Sequence, residues 1–300
     1  MINYYLRRIK DTSIQTISKF TKGCWINVVD PSKEELEELV TNYGLELDLL
    51  KDGLDNNEIP RFDDEDKAHY IYVKTISKNN ELITLLIIIG EEFILTLSNY
   101  ETKLETELLK TKHKFYTTQK NKTLIYWLLT NNAMLEHFVA FETKTVNQKR
   151  YIDNIKESDL DSLLNHEEIL NKMTSAYTYI LHVYHKLTKR INFYEDDKDL
   201  ISDLIIDSEE AQNICLSSVK SISNIRNHYT LVLSNKLNKN IRILTIFTIL
   251  VSLSTAVSGI FGMNVVLPFQ THPLALFGIL GLIIILTIVF LVFLKKKELF

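Results

Sequence analysis

Two apolar stretches near the C-terminus dominate the hydrophobic pattern of the chain. From Ile243 to Phe261 there is no ionisable side chain, and Leu274 to Leu294 is a second such run, dense in Leu, Ile, Val and Phe. Crossing the hydrocarbon of a bilayer takes about 20 helical residues, so both runs predict transmembrane helices. The segment between them, residues 262–273, holds glycine, asparagine and two prolines and reads as a tight connection. Upstream, no glycine occurs from about residue 122 until Gly259 and no proline until Pro268. Apolar spacing such as Leu124, Trp127, Leu128, Met134, Leu135 and Phe138 predicts long helices there. A break fits Glu195-Asp196-Asp197-Lys198, after which Leu200 to Phe261 reads as one helix running into the membrane. Its roughly 60 residues span about 90 Å, of which about two thirds precede the membrane. A helix that long outruns the cover of one domain and is expected to pack against copies of itself.

The first hundred residues have a different texture. Cys24 to Val29 reads as a strand, and Asp30-Pro31-Ser32 starts a helix with a capping residue and a first-turn proline. Gly44 is placed to end that helix. Tyr70 to Ile76, Leu82 to Ile89 and Phe93 to Ser98 are β-rich runs, the last two joined by the hairpin signal Gly90-Glu91-Glu92. Together these predict a small α/β domain, and no internal repeat or low-complexity linker accompanies it.

Charge sharpens the division. The whole chain is 46% hydrophobic and 24% charged with a net charge of −4, values that taken alone suit a soluble globule. From residue 236 onward, however, the basic residues are Lys236, Lys239, Arg242, Lys295, Lys296 and Lys297, against the single acid Glu298. The remaining 235 residues carry 28 basic and 37 acidic side chains. So acidic a body argues against a nucleic-acid partner, which needs a basic face. Lys and Arg bracket the apolar pair on one side only, and the connecting loop has none, so both termini are expected in the cytoplasm. The N-terminal residues Met1 to Arg8 lack the apolar core and cleavage site of a secretory signal. Cys24 and Cys215 stand alone and support neither a disulfide framework nor a zinc knuckle.

The two spans differ in chemistry. The second is uniformly apolar apart from Thr287 and two glycines, as a lipid-facing helix should be. The first carries Thr245, Thr248, Ser252, Ser254, Thr255 and Ser258. At about 100° per residue, Asn238, Ile241, Thr245, Thr248, Ser252, Thr255 and Gly259 fall in one stripe, with Leu250, Val257 and Phe261 opposite. Such a stripe serves either as helix–helix glue or as the lining of a water-filled path. One stripe cannot enclose a pore, so the second use requires several copies around an axis.

The junction Ser234-Asn235-Lys236-Leu237-Asn238-Lys239-Asn240-Ile241-Arg242-Ile243-Leu244-Thr245 and the end of the first span, Ser258-Gly259-Ile260-Phe261-Gly262-Met263-Asn264, resemble the CorA family of magnesium transporters. The Gly-Met-Asn triplet sits at the outer end of the penultimate of two C-terminal spans. The matching stretch Asn238 to Thr245 begins 26 residues before Asn264. The likeness covers residues 200–297 well and extends loosely to Asp55-Asn56-Asn57-Glu58-Ile59-Pro60-Arg61.

The resemblance implies an α+β chain assembled as a homopentameric funnel. Its parts would be a cytosolic α/β domain over 1–120 and a long-helix stalk over 121–240. A pore-lining span over 241–261, an extracytoplasmic loop over 262–273, a second span over 274–294 and a basic tail over 295–300 would follow. It implies a selectivity filter at Gly262, Met263 and Asn264, and a conduit lined by Asn238, Ile241, Leu244, Thr248, Ser252, Thr255 and Gly259. Lys295, Lys296 and Lys297 would form an inner basic ring. Family members sense cytosolic Mg²⁺ through acids between subunits. Extension back from the pore motif places Asp203 at the sensor position, with Asp207 one turn on and Glu81 as the nearest acidic partner. The implied partners are further copies of the chain, divalent cations and the lipid bilayer of the cell membrane, with Co²⁺, Ni²⁺ or Zn²⁺ as further cargoes.

Mg²⁺ chemistry suits these residues. The ion holds its waters tightly in octahedral oxygen geometry, and a ring of neutral amides can hold it through that shell and still release it. No Gly-x-x-x-x-Gly-Lys-Ser/Thr loop is present, so no nucleotide-driven step is implied. Ile241 stands where the family has Met, Arg242 where it has Lys, Phe261 where it has Tyr, and Leu253 where Pro is common. Leu267-Pro268-Phe269 lacks the loop acid of many members, which weakens electrostatic concentration of cations at the mouth. Three other readings stand beside Mg²⁺ transport. His182 and His185, spaced i, i+3, would suit a zinc, cobalt or nickel transporter if they bound metal, and otherwise form a plain surface or core pair. A non-conducting membrane-anchored scaffold would leave the hydroxyl stripe without a task. A hydrolase would need a nucleophile–base pair, and no such motif stands out.

Overall fold

Strands form where β-branched and aromatic residues run together. The structure, a computed structural model, describes residues 1–110, 115–149, 157–263 and 274–296. The chain folds as two compact units, Met1–Arg226 and Asn227–Phe300. Among the described residues the N-terminal unit has seven strands: β1 (Ile2–Leu6), β2 (Gln15–Ile17), β3 (Cys24–Val29), β4 (Arg61–Glu65), β5 (Ala68–Ile76), β6 (Leu82–Gly90) and β7 (Phe93–Ser98). They make one mixed sheet in the order β2-β1-β3-β7-β6-β5-β4. Only β3 and β7 run parallel, with Trp25 opposite Ile94 and Val28 opposite Leu97.

Both faces of the sheet are covered, which explains why β6 reads Leu-Ile-Thr-Leu-Leu-Ile-Ile-Ile without polar alternation. Ile26, Val28, Tyr70, Tyr72, Leu86 and Ile88 point to one face, where they pack with Leu36 and Leu39 of helix α1 (Lys33–Tyr43) and Leu50 of α2 (Leu47–Gly53). Trp25, Ile71, Val73, Leu85 and Ile87 point the other way. They meet α3 (Lys103–Lys110), α4 (Lys120–Lys149) and α5 (Glu157–Arg190). Trp25 Nε1 donates to Thr96 Oγ1 at 2.8 Å, and that hydroxyl donates to Asn27 Oδ1 at 2.8 Å, so a buried polar clip fixes the parallel pair.

Helix α1 begins two residues later than its proline suggests. Ser32 is the cap: its Oγ accepts from Glu35 N at 3.2 Å and its N–H donates to Glu35 Oε2 at 2.9 Å. Asp30, expected as the cap, instead takes a left-handed turn with φ 44°. Gly44 ends α1 at φ 67°, a conformation open to glycine without Cβ strain.

Helix α6 (Glu195–Phe261) is continuous over 67 residues. Its buried positions in the N-terminal unit are Asp197, Ile201, Leu204, Ser208, Ala211, Cys215, Ser218, Ile222 and Ile225. These alternate in steps of three and four, the spacing of a coiled-coil seam. Ser208 Oγ donates to Asn132 Oδ1 of α4 at 3.0 Å, and Gln212 Nε2 donates to Thr178 Oγ1 of α5 at 2.7 Å. One side of the long helix is therefore covered by its own chain as far as Ile225. From Leu231 to Thr245 every residue is exposed. The C-terminal unit holds the rest of α6 and helix α7 (Ala275–Lys296).

Candidate functional site

Among the described residues α6 is long and apolar enough to cross a membrane, and a shorter apolar run, Phe277–Val292, lies in α7. In the membrane-length part of α6, Ile246 is buried, and Leu250, Leu253 and Val257 are half-buried. Their steps of four, three and four place them on one face. In α7 the half-buried residues include Ile279, Ile283, Thr287 and Phe290, again on one face. Asn238, Ile241, Leu244, Thr245, Thr248, Ser252, Thr255 and Gly259 lie on the opposite side of α6, and all are exposed. The chain thus covers a narrow strip of this helix through Ile246, Leu250, Leu253 and Val257, and leaves the polar stripe bare together with the apolar Phe247, Ile249, Val251 and Ile260.

The hydroxyls on that stripe are oriented by the helix itself. Thr245 Oγ1 donates to Ile241 O at 2.8 Å, Thr248 Oγ1 to Leu244 O at 2.9 Å and Thr255 Oγ1 to Val251 O at 2.9 Å. Each hydroxyl hydrogen is spent on the backbone, and the oxygen lone pairs remain available. A column of acceptors suits the outward-pointing hydrogens of a hydrated cation. Gly259 has nothing within 4 Å of where a Cβ would stand. At the helix end Gly262 N donates to Ser258 O at 3.0 Å, and Met263 is 57% exposed. Asn264, the third residue of the expected filter, lies outside the described residues. Lys295 and Lys296 are in the last turn of α7, with Lys296 exposed, while Lys297 lies outside the described residues.

The acids expected to sense Mg²⁺ are all on the surface. Asp203 and Asp207 are exposed on α6, and Glu81 is exposed at the start of β6's turn, where its N–H donates to Ser77 Oγ at 3.1 Å. Among the described residues no hydrogen bond or ion pair joins Glu81 to either aspartate. What the sequence did not disclose is Glu136 of α4. It shares a groove of about 860 Å³ with Asp207, Glu210 and His137. Burial raises the Glu136 carboxyl above its ordinary range, and repulsion from Asp207 and Glu210 adds to the rise, with His137 opposing it. This proximity across two helices has no signature along the chain. Among the described residues no group of three or more His, Cys, Asp or Glu side chains is gathered closely enough to hold a metal ion. His182 and His185 are both exposed on α5.

The segment Asp55 to Arg61 has a structural task. The Arg61 guanidinium lies 4.0 Å from the Tyr72 ring centroid. It bonds Asp52 at 2.7 Å, Asp63 at 2.6 Å and Glu58. That fork pins the α2–β4 connection to the sheet.

Comparison with known proteins agrees with this architecture. The cobalt/magnesium transport protein CorA of Methanocaldococcus jannaschii is 22% identical over 292 residues, covering 91% of this chain and 90% of that protein. The complete structure of the CorA magnesium transporter from that organism superposes with a TM-score of 0.84 at 19% identity, over 99% of this chain and 98% of the other. The full-length CmaX protein gives 0.74 at 14% identity, over 94% of each chain. At these identities the structures establish the fold alone. The family model described as CorA-like Mg²⁺ transporter protein matches residues 21–296, nearly the whole length. Sheet, long helix and apolar pair together with that match place the chain in the CorA-like Mg²⁺ transporter family.

Proposed function

We propose that the chain is a magnesium channel that passes Mg²⁺ inward, driven by the membrane potential, and is closed by cytosolic Mg²⁺. The observation that carries this reading is the oxygen-bearing stripe on the uncovered face of α6, opposite Ile246, Leu250, Leu253 and Val257. Stripes from several copies, five by the family pattern, face a common axis and make the conduit that one copy cannot enclose. Asn238, Ile241, Leu244, Thr248, Ser252, Thr255 and Gly259 line it, and Gly262, Met263 and Asn264 form its outer filter. The spans 241–261 and 274–294, the loop 262–273 and the tail 295–300 follow from this placement. Both termini lie in the cytoplasm, and Lys295 to Lys297 ring the inner mouth. An inside-negative potential supplies about 2.3 kcal/mol per charge per 100 mV, hence about 4.6 kcal/mol for a divalent ion, and no nucleotide hydrolysis is needed.

Closure rests on Asp203, Asp207 and Glu81, to which the groove adds Glu136 and Glu210. A single chain gathers no metal cage among its described residues, which fits an ion held between subunits and through its water shell. The zinc, cobalt or nickel alternative has less support, since His182 and His185 are exposed on α5 with no third ligand gathered beside them.

The test is Mg²⁺ influx into proteoliposomes under an inside-negative potential, with Asn264→Ala alongside. Influx that Asn264→Ala abolishes or makes unselective supports the channel and its filter. Uptake of Zn²⁺, Co²⁺ or Ni²⁺ without Mg²⁺ points to the sister specificity. Silence for every ion, with the oligomer intact and internal Mg²⁺ removed, leaves a membrane-anchored scaffold.

A further inference from the structure

The C-terminal unit carries a charge pattern that conduction does not use. From Asn227 onward the only acid is Glu298, against Lys236, Lys239, Arg242, Lys295, Lys296 and Lys297. Lys236, Lys239, Arg242 and Lys296 are exposed, and among the described residues none of the four enters an ion pair. Arg242 lies 19 residues before the end of α6 at Phe261, and Lys295 lies 20 residues after the start of α7 at Ala275. At 1.5 Å per residue each distance is about 30 Å, the thickness of the hydrocarbon core. Two helices that cross one bilayer therefore bring these cations to the same boundary, with Lys239 and Lys236 within about 10 Å of Arg242.

Their place around α6 separates them from the polar stripe. At 100° per residue Lys239 falls about 20° from Ile246, and Lys236 and Arg242 flank it by about 60° on either side. The hydroxyls of Thr245, Thr248, Ser252 and Thr255 centre about 160° away from Lys239. The three cations thus continue the covered strip of α6 beyond the span, on the side away from the proposed conduit. Above Arg242, and within about 20° of its direction, stand the exposed apolar side chains of Ile249 and Ile260. A cationic head below an apolar track is the chemistry of a lipid with a negative headgroup. The Arg fork and the Lys ammonium each suit a phosphate oxygen, and their stems reach along apolar surface to the headgroup level.

We propose that this face of α6 binds an anionic phospholipid of the cytoplasmic leaflet. Its phosphodiester sits on Lys239 and Arg242, with Lys236 at the outer edge of the headgroup, and an acyl chain follows Ile249 and Ile260. A zwitterionic lipid fits less well, because its own ammonium group meets the same three cations. The proposal rests on the placement of α6 and α7 across the bilayer given above, and not on conduction.

The probes are spin-labelled phosphatidylglycerol and phosphatidylcholine, added to phosphatidylcholine vesicles that hold the full-length protein. Electron spin resonance reads the lipid held at the protein surface. A basic side chain near an anionic headgroup is worth about fivefold in affinity, so phosphatidylglycerol should be preferred at least about fivefold. Replacing all three cations, by Lys236→Gln, Lys239→Gln and Arg242→Gln, should abolish the preference. Asn238→Lys combined with Lys239→Asn keeps the charge and its level but turns one cation by about 100° toward the stripe, and should lower the preference at least about twofold. Wild-type protein gives a readout that no variant's folding affects: phosphatidylglycerol should slow acetylation of Lys239, followed by peptide mass spectrometry, while exposed Lys22 reacts at its usual rate. A preference that survives the exchange of positions 238 and 239 is diffuse surface charge and overturns the site. Its loss to inorganic phosphate, at an ionic strength matched with chloride, assigns the face to a soluble anion. Equal holding of both lipids, with carbodiimide cross-links from Lys239 to a second copy, assigns it to the acidic body of that copy. Equal holding without such links overturns the site and leaves the spans standing, whereas no held lipid of either kind overturns the bilayer placement itself.

Discussion

Thr248→Val in α6 isolates one oxygen of the proposed conduit with little change in shape. The hydroxyl of Thr248 donates to Leu244 O at 2.9 Å, so in the proposed conduit its lone pairs would meet a passing hydrated ion. Valine keeps the β-branched outline and the helix rotamer and removes the hydroxyl, and with it both the acceptor and the bond to Leu244 O. An accepted hydrogen bond from the ion's water shell is worth about 0.5 kcal/mol net at the low end of measured values. In the proposed pentamer, five copies acting on one ion give about 2.5 kcal/mol, an influx slower by about 70-fold. The matched control is Ser254→Ala. Ser254 Oγ also donates to its own helix, to Leu250 O at 3.1 Å, but is half-buried beside the covered face. Its loss should leave influx within about twofold, well under 1 kcal/mol at the barrier. The assay is Mg²⁺ influx into proteoliposomes matched for incorporated protein. Unchanged influx in Thr248→Val, or an equal loss in Ser254→Ala, refutes the assignment of the faces.

Other outcomes follow from the N-terminal unit. Leu39→Ala empties a site that is 0% exposed under the sheet and should lower unfolding free energy by about 2–5 kcal/mol in a denaturant titration. Ser32→Ala removes the capping box of α1 and should cost about 1 kcal/mol by the same measurement. Glu136→Gln removes a carboxyl beside Asp207 and Glu210, and should raise severalfold the internal Mg²⁺ concentration that halves influx. Burial pushes the phenol of Tyr5 up to about 12 and raises those of Tyr43, Tyr70, Tyr72, Tyr177 and Tyr184. The unfolded chain loses these protons near pH 10 while the folded unit keeps them. Their contribution is therefore intact below pH 10 and is lost as pH rises toward 12 and beyond. Ultraviolet titration should show most buried tyrosines ionising only together with unfolding. A separate gradual titration of all of them near pH 10 would contradict their burial.

The parts of the fold that could be read along the chain are those whose pattern is local. β3, β5, β6 and β7 announce themselves because residues buried on both faces leave continuous β-branched runs. β1, β2 and β4 do not: β2 has three residues, and β4 reads Arg-Phe-Asp-Asp-Glu because it lies at a sheet edge with polar side chains outward. Pro31 mimics a first helical residue and points to a start two residues early, while the reciprocal bonds of Ser32 and Glu35 decide the cap of α1. The stripe of α6 is legible since a single helix with a 100° step generates it. Glu136 beside Asp207 is not, because that proximity depends on which elements the topology brings together.

The most direct measurement is thiol block of Mg²⁺ influx across the two faces of α6. Cys24 and Cys215 are both buried, so background reaction with a charged methanethiosulfonate reagent is small. Cysteine placed at Thr248, Ser252 or Thr255 should render influx sensitive to the reagent, whereas cysteine at Leu250 or Val257 should leave it insensitive. Block through Leu250 and Val257 with the stripe positions silent would contradict the conduit.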